Sequence, residues 1–272
     1  MTSSQENKQA SSIGIFDSGL GGLTVLKDLA TRFPHESFTY LGDIARLPYG
    51  NKSPETIKRY GLQILRFLKD ANVKALIIAC NSASTVFLGQ NDFENIPLLN
   101  VIEPGSAAAL RVSNGEPIAV LGTSATINSH AYEKTLKELN NNQKVIEKAC
   151  PLFVSLVEEG IVGDPISFLI GERYLKDIRD QKIKTVILGC THYPILRDDL
   201  KQILGDDVKL IESGEVLGER LHELFASGAI SRAEKGQRFI RVCTTDITDH
   251  FEHLARNLMK PISIGPLERV IL

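Results

Sequence analysis

The sequence of 272 residues contains no tryptophan and only two methionines. It also lacks an excess of either charge, because 31 basic and 33 acidic residues leave a net charge of −2. A nearly neutral chain offers no basic footprint for nucleic acid or for an anionic membrane surface. Its most apolar stretch, 75–88, is interrupted by polar residues and is too short to cross a bilayer. We therefore expect no nucleic-acid or membrane partner.

Cysteine is scarce, and the wide spacing of the four residues is not typical of a Cys-x-x-Cys motif or of a disulfide framework. The four residues Cys80, Cys150, Cys190 and Cys243 form no Cys-x-x-Cys pair. Such spacing is typical of reduced cytosolic thiols and not of a disulfide framework. Residues 1–12 are polar and lack the basic start and apolar run of a signal peptide, so they predict a disordered tail. The expected location is the cytoplasm.

Short apolar runs recur along the chain and alternate with stretches of helical periodicity. One such stretch, 54–71, has apolar residues at helical spacing and Ser53 as a candidate N-cap. Near-continuous apolar runs of four to six residues are typical of parallel strands covered on both faces. The alternation predicts an α/β fold with mainly parallel sheets. The strands are predicted at 13–16, 38–41, 75–79, 99–102, 118–121, 144–147, 185–188, 209–211, 239–242 and 262–264.

The chain also resembles itself at two places in the same order. Residues 74–81 (KALIIACN) parallel 184–191 (KTVILGCT), 110 residues later, and 13–19 (IGIFDSG) parallel 118–124 (IAVLGTS), 105 residues later. This repeat predicts two similar, pseudo-symmetric α/β lobes with the site in the cleft between them. The first lobe is expected at 13–98 plus 208–272, and the second at 99–207.

Two cysteines follow predicted strands at matching positions of the two lobes. Ligands of open α/β sheets bind beyond the carboxyl ends of the strands, where Cys80 and Cys190 are expected. A thiol near a helix N-terminus or a cation can ionise at neutral pH, so we interpret this pair as functional residues. Isolated free cysteines are usually buried and structural, and we interpret Cys150 and Cys243 in that way.

Two cofactor interpretations compete with this one. Cys190 and His192 offer two zinc-ligand types, but the usual spacing of a zinc site is missing. The glycine-rich loop at 17–24 has no Walker lysine and only part of a dinucleotide fingerprint, with Asp43 near the position of a ribose-binding acid. The simpler interpretation is a tight strand-to-helix turn that needs glycine. Neither a metal nor another cofactor is expected.

Five motifs follow one another along the chain: 16–22 (FDSGLGG), 48–50 (PYG), 79–84 (ACNSAS), 150–158 (CPLFVSLVE) and 189–194 (GCTHYP). Taken in this order, they resemble the glutamate racemases of bacterial cell-wall synthesis, and the likeness covers about residues 13–264. Glutamate racemases usually have a threonine at the position of Ser82, which keeps the hydroxyl but lacks the methyl group.

The resemblance implies cofactor-independent interconversion of L- and D-glutamate, with the D-isomer used for peptidoglycan, by an enzyme that is commonly a homodimer. It implies that Cys80 and Cys190 are the catalytic acid/base residues, assisted by Asp17, His192 and Glu158. Without this resemblance, the adjacent residues Glu158 and Glu159 are interpreted as part of a solvent-exposed face. The substrate contacts that the resemblance implies are Asp17, Ser18, Pro48, Tyr49, Gly50, Asn81, Ser82, Thr123, Thr126, Thr191 and His192.

Three alternatives stay open at this point. A racemase for aspartate or another acidic amino acid would share the two-cysteine site and differ in pocket length. A cysteine-nucleophile hydrolase would need one cysteine with a histidine partner and leave the other idle. A two-lobed protein that only binds small acids would need neither cysteine.

Overall fold

The computed structural model describes residues 11–233 and 238–272, which form eleven strands, eleven α-helices and three short 3-10 helices in two lobes. The first lobe contains a seven-stranded sheet in the order β11-β10-β2-β1-β3-β5-β4, in which only β4 is antiparallel to its neighbour. Its strands are β1 (Ser12–Asp17), β2 (Phe38–Gly42), β3 (Val73–Ile78), β4 (Asp92–Phe93), β5 (Ile96–Asn100), β10 (Ile240–Thr244) and β11 (Glu268–Arg269).

The second lobe contains a four-stranded parallel sheet in the order β7-β6-β8-β9. Its strands are β6 (Ile118–Gly122), β7 (Val145–Ala149), β8 (Thr185–Gly189) and β9 (Lys209–Ile211). This order repeats β2-β1-β3-β5 of the first sheet, with β6 in the place of β1 and β8 in the place of β3. Those are the strands of the sequence repeat, so the α/β fold with two pseudo-symmetric lobes is confirmed.

Helices flank both sheets, and α2 shows how the local sequence produces one. Ser53 accepts a hydrogen bond from the backbone N–H of Thr56 at 3.3 Å, Pro54 occupies the first turn, and a stripe including Ile57 and Leu65 is buried. The predicted helix at 54–71 is therefore confirmed. The helices are α1 (Gly22–Arg32), α2 (Pro54–Asp70), α3 (Asn81–Ser84), α4 (Ile102–Ser113), α5 (Ser124–Asn128), α6 (Ala131–Leu139), α7 (Leu152–Glu158), α8 (Pro165–Asp180), α9 (Arg197–Leu204), α10 (Ser213–Ala226) and α11 (Asp249–Met259).

The structure corrects some predicted boundaries. Residues 1–10 of the tail expected at 1–12 lie outside the described residues. Ser12 is not part of a tail, because it pairs with Val73 as the first residue of β1. The predicted strand at 262–264 is wrong, because that segment is irregular and the last strand is β11. The boundary predicted at 207/208 places β9 in the first lobe, whereas β9 pairs with β8 of the second sheet. Likewise β5, partly assigned to the second lobe, pairs with β3 of the first sheet.

No helix among the described residues has the length and apolar character needed to cross a membrane. The apolar core instead runs through both lobes and leaves the polar strand ends facing each other.

We predict that Gly61→Ala destabilises the protein although alanine favours helices. A Cβ at position 61 of α2 would lie 2.5 Å from Cε2 of the fully buried Phe87. Overpacking of about 1–3 kcal/mol outweighs the gain of about 1 kcal/mol in helix propensity, so urea unfolding should show a lower free energy of unfolding. The control is Gly105→Ala in α4, whose Cβ would meet Tyr132 at an ordinary 3.4 Å and should not destabilise. Equal effects at both positions would contradict the packing argument.

Candidate active site

Both candidate cysteines face one cavity of about 210 Å³ between the two lobes. Cys80 lies between β3 and α3, and Cys190 directly follows the equivalent strand β8. The cavity is smaller than the roughly 300–1,000 Å³ of pockets for drug-sized ligands, which indicates a small metabolite. The first lobe contributes Ser18, Leu47, Pro48, Tyr49, Gly50, Asn51, Asn81 and Ser82, and the second contributes Thr123, Ser124, Pro151, Leu152, Val154, Ser155, Thr191 and His192.

Cys190 is paired with a histidine that a glutamate holds in place. Nδ1 of His192 lies 3.8 Å from Sγ of Cys190, and Nε2 lies 2.5 Å from Oε1 of Glu158. Burial alone would lower the pKa of His192, but these two partners raise it to about 10. Both ring nitrogens of His192 are thus within reach of a partner, Cys190 on one side and Glu158 on the other. Glu159 is exposed, so Glu158 is the glutamate of this pair that contacts His192, although Glu158 does not itself line the cavity.

Cys80 has a different environment. Its thiol donates to the Ser18 hydroxyl at 3.5 Å, and the side chain is almost fully buried. Burial, followed by the nearby negative charge of Asp17, raises the pKa of Cys80 to about 12. The two cysteines occupy equivalent places in the two lobes, but one is a neutral thiol and the other contacts a cation.

Asp17 does not line the cavity, in contrast to its expected role as a substrate contact. Its carboxylate is fully buried and accepts hydrogen bonds from the backbone N–H groups of Gly19 and Gly22 at 2.9 and 3.0 Å, and from the Thr191 hydroxyl at 3.1 Å. Burial raises the pKa of Asp17, and the charge of His192 lowers it in opposition. Asp17 therefore joins the two lobes behind the cysteines.

The glycine-rich loop lies where the two lobes approach each other closely. A Cβ on Gly21 would lie 2.5 Å from Nδ1 of His192 and 2.5 Å from Oγ1 of Thr191. The tight turn therefore needs a glycine at position 21, because the second lobe leaves no space for a side chain there. The same second-lobe residues occupy the space that a bound dinucleotide would need next to this loop. Asp43 is fully buried and bonded to protein side chains, so it is not placed to bind a ribose.

Polar side chains at the starts of α3 and α5 form a second link between the lobes. The hydroxyl of Ser82 lies 2.8 Å from that of Thr123 and 3.3 Å from that of Thr126. Ser82 and Thr123 line the cavity, whereas Thr126 is fully buried and does not line it. Asn81 accepts from the Tyr132 hydroxyl at 2.7 Å and donates to the Ser213 hydroxyl at 3.3 Å. The hydroxyl of Ser82 is thus present where the resemblance predicts it.

Among the described residues that line the cavity, none is Lys or Arg. His192 is therefore the side chain that can bring a positive charge to the cavity wall. Sequence reasoning missed several members of this wall, of which the segment at the start of α7 is the largest. The sequence signal that could have identified this segment is the motif at 150–158. Cys150 and Cys243 are free and buried and do not line the cavity. The missed residues are Leu47, Asn51, Ser124, Pro151, Leu152, Val154 and Ser155.

Comparison with known proteins identifies the family of this chain. The family profile described as Asp/Glu/Hydantoin racemase matches residues 23–221. The chain is 43% identical over 248 residues to a glutamate racemase of Aquifex pyrophilus, covering 91% of this chain and 93% of that protein. It is 43% identical over 226 residues to a glutamate racemase of Geobacter metallireducens, covering 83% and 84%.

Solved structures show the same architecture. A glutamate racemase isoform of Bacillus anthracis superposes with a TM-score of 0.89 at 36% identity, covering 97% of this chain and 98% of that one. The glutamate racemase of Francisella tularensis, solved with D-glutamate, superposes with a TM-score of 0.88 at 39% identity, covering 96% and 97%. The resemblance seen in the sequence is confirmed, and the chain belongs to the Asp/Glu/Hydantoin racemase family of isomerases.

Proposed function

We propose that this protein interconverts L- and D-glutamate by proton transfer at Cα between Cys80 and Cys190, without a cofactor. The observation that carries this proposal is a small cavity to which each lobe contributes one thiol. Inverting a carbon centre requires removal of a proton from one face and delivery to the other. Two thiols contributed by opposite lobes can serve both faces, which one base cannot easily do.

The charges around the two thiols define their starting roles. Cys190, whose Sγ lies 3.8 Å from Nδ1 of His192, acts as the base that removes the α-proton. Cys80, whose pKa is raised to about 12, starts as the thiol that donates a proton to the opposite face. After one turnover Cys190 carries the proton that it removed and Cys80 has given up its own, so the total number of protons on the two thiols is unchanged. The roles of the two cysteines are exchanged in the reverse direction, which starts from this form.

The α-proton of an amino acid is weakly acidic, so the site must stabilise the carbanion that forms. The hydroxyls of Ser18 and Ser82 and the side-chain amide of Asn81 can donate hydrogen bonds to the carboxylates of the substrate. The cavity lies between two lobes whose closure would exclude water and strengthen these interactions. This set of neutral donors with one imidazolium suits an acidic amino acid.

A cysteine hydrolase is the strongest competing activity, because Cys190, His192 and Glu158 are arranged as a nucleophile, base and orienting acid. That activity leaves the equivalent placement of Cys80 in the same cavity unexplained. The family relatives named above are racemases, and an aspartate racemase would use the same two thiols. Substrate length is therefore the feature that assays must resolve.

We further propose that the enzyme is a cytoplasmic homodimer that supplies D-glutamate for peptidoglycan. All four cysteines are free, which suits a reducing compartment. Large apolar side chains are exposed on α7 and α8, where Leu152, Ile166 and Leu169 are 49%, 53% and 73% exposed. The two helices pack against each other, so these exposed side chains are available to a protein interface on one part of the surface.

We expect the purified protein, dialysed against chelator, to racemise both enantiomers of glutamate in a circular dichroism assay. In D2O, deuterium should appear at Cα mainly in the newly formed enantiomer in either direction, because the thiol that donates is not the one that removed the proton. Nuclear magnetic resonance of the separated enantiomers measures this. Faster turnover of aspartate than glutamate would overturn the assignment of substrate.

We expect Cys80→Ser and Cys190→Ser each to lower kcat/KM by at least about 100-fold, since a hydroxyl is a much weaker acid than a thiol and general acid–base catalysis contributes about 10²–10⁴-fold. The control is Cys243→Ala, which removes a buried thiol outside the cavity and should reduce stability without reducing the rate. Near-normal racemisation by Cys80→Ser would exclude the two-base mechanism and favour a single-cysteine one.

We expect the rate to fall at high pH as His192 loses its proton, with the limb of the kcat/KM profile near pH 10 in the wild type. Glu158→Gln removes an anion that raises the pKa of His192, so this limb should move to lower pH by about one unit or more. Glu159→Gln changes an exposed neighbour and should leave the profile unchanged. An unshifted limb in Glu158→Gln would show that the imidazolium is not required.

A further inference from the structure

Asp43 directly follows β2 and is fully buried, but it does not line the cavity. Its two carboxylate oxygens accept hydrogen bonds from the side chains of Arg46, Tyr49 and Thr245. Of these partners, Tyr49 forms part of the cavity wall. A buried charge outside the cavity is thus bonded directly to a residue of the wall.

The contacts of this carboxylate are short and numerous. Nε of Arg46 donates at 2.9 and 2.7 Å to Oδ1 and Oδ2, and Oγ1 of Thr245 donates at 2.9 Å to Oδ1. The Tyr49 hydroxyl donates to Oδ2, and Thr245 also accepts from the backbone N–H of Ala45 at 3.0 Å. Burying a carboxylate is costly unless such donors surround it. The network therefore favours one arrangement of its members.

The wall has little room to adopt another arrangement. The Tyr49 ring is 1% exposed and packs edge-on against Phe16, with 6.2 Å between ring centroids. The next residue, Gly50, lies so close to the second lobe that a Cβ there would be 2.6 Å from Cβ of Thr123. A displaced Tyr49 ring would move the Gly50 backbone, and with it the distance across the cavity.

We propose that Asp43 is a positioning residue, which holds Tyr49 and the wall at 48–50 in the conformation that accepts the substrate. This inference rests on the proposed function, because glutamate turnover is its readout. The hydrogen bonds of Cys80 and Cys190 go to Ser18 and His192, outside the Asp43 network. Loss of the network therefore weakens substrate binding more than proton transfer.

The test is the kinetics of glutamate racemisation by Asp43→Asn, which removes the charge and keeps the shape. We expect KM to rise about tenfold while kcat changes by less than about threefold. Tyr49→Phe, which deletes only the hydroxyl that donates to Asp43, should change KM in the same direction by a smaller factor. Thr245→Val removes another donor from outside the cavity and provides the measurement if Asp43→Asn does not fold.

The matched control is Glu36→Gln. Glu36 is a buried carboxylate near the opposite end of β2, where it pairs with Lys74 at 2.6 Å. Its loss should lower the unfolding temperature and leave KM within about twofold of the wild type. A similar rise of KM in Glu36→Gln, or an unchanged KM in Asp43→Asn, Tyr49→Phe and Thr245→Val, would overturn the positioning role. A wild type that does not racemise glutamate would instead overturn the proposed function and this inference with it.

Discussion

The hydrogen bond from Thr191 to Asp17 crosses from one lobe to the other, and the polar side of the site depends on it. Asp17 is fully buried, and its remaining donors are the backbone N–H groups of its own turn. Because an unpaired buried carboxylate is costly, this arrangement draws the strand end of the second lobe toward the turn of the first. The close approach leaves no space for a side chain at Gly21. The cavity thus lies beside a contact that brings the two strand ends together.

The same contact distinguishes two cysteines that the fold places equivalently. The sheets repeat each other, and β3 and β8 occupy corresponding positions with a cysteine after each. The carboxylate of Asp17 contributes to the raised pKa of Cys80, whereas the cation of His192 faces Cys190. Pseudo-symmetry thus provides two thiols facing one cavity, and the groups around each thiol differ. One residue type therefore occupies two unlike environments.

Local sequence signals predicted most of the framework correctly. Apolar runs located the central strands because strands covered on both faces must be apolar throughout. The repeat around Cys80 and Cys190 predicted the equivalence of β3 and β8, which the strand order confirms. The peripheral elements were less predictable. β4 has two residues, and the apolar segment at 262–264 between Pro261 and Gly265 packs without pairing. Short edge pairings depend on neighbours that sequence periodicity does not identify.

Local sequence patterns were sufficient to predict the α/β class, the internal repeat behind the two lobes, the pair of strand-end cysteines and the family resemblance, because each pattern lies within short segments. The contacts of the charged groups across the two lobes depend on tertiary packing, which those segments do not specify. In the tertiary structure Glu158 contacts His192 whereas Glu159 is exposed. Asp17 and Thr126 are buried and do not line the cavity. The tertiary structure also assigned β9 to the second sheet and joined Asp43 to Tyr49 and Thr245. These relations join residues far apart in the chain, and they follow from the burial of polar groups that must find partners across the two lobes.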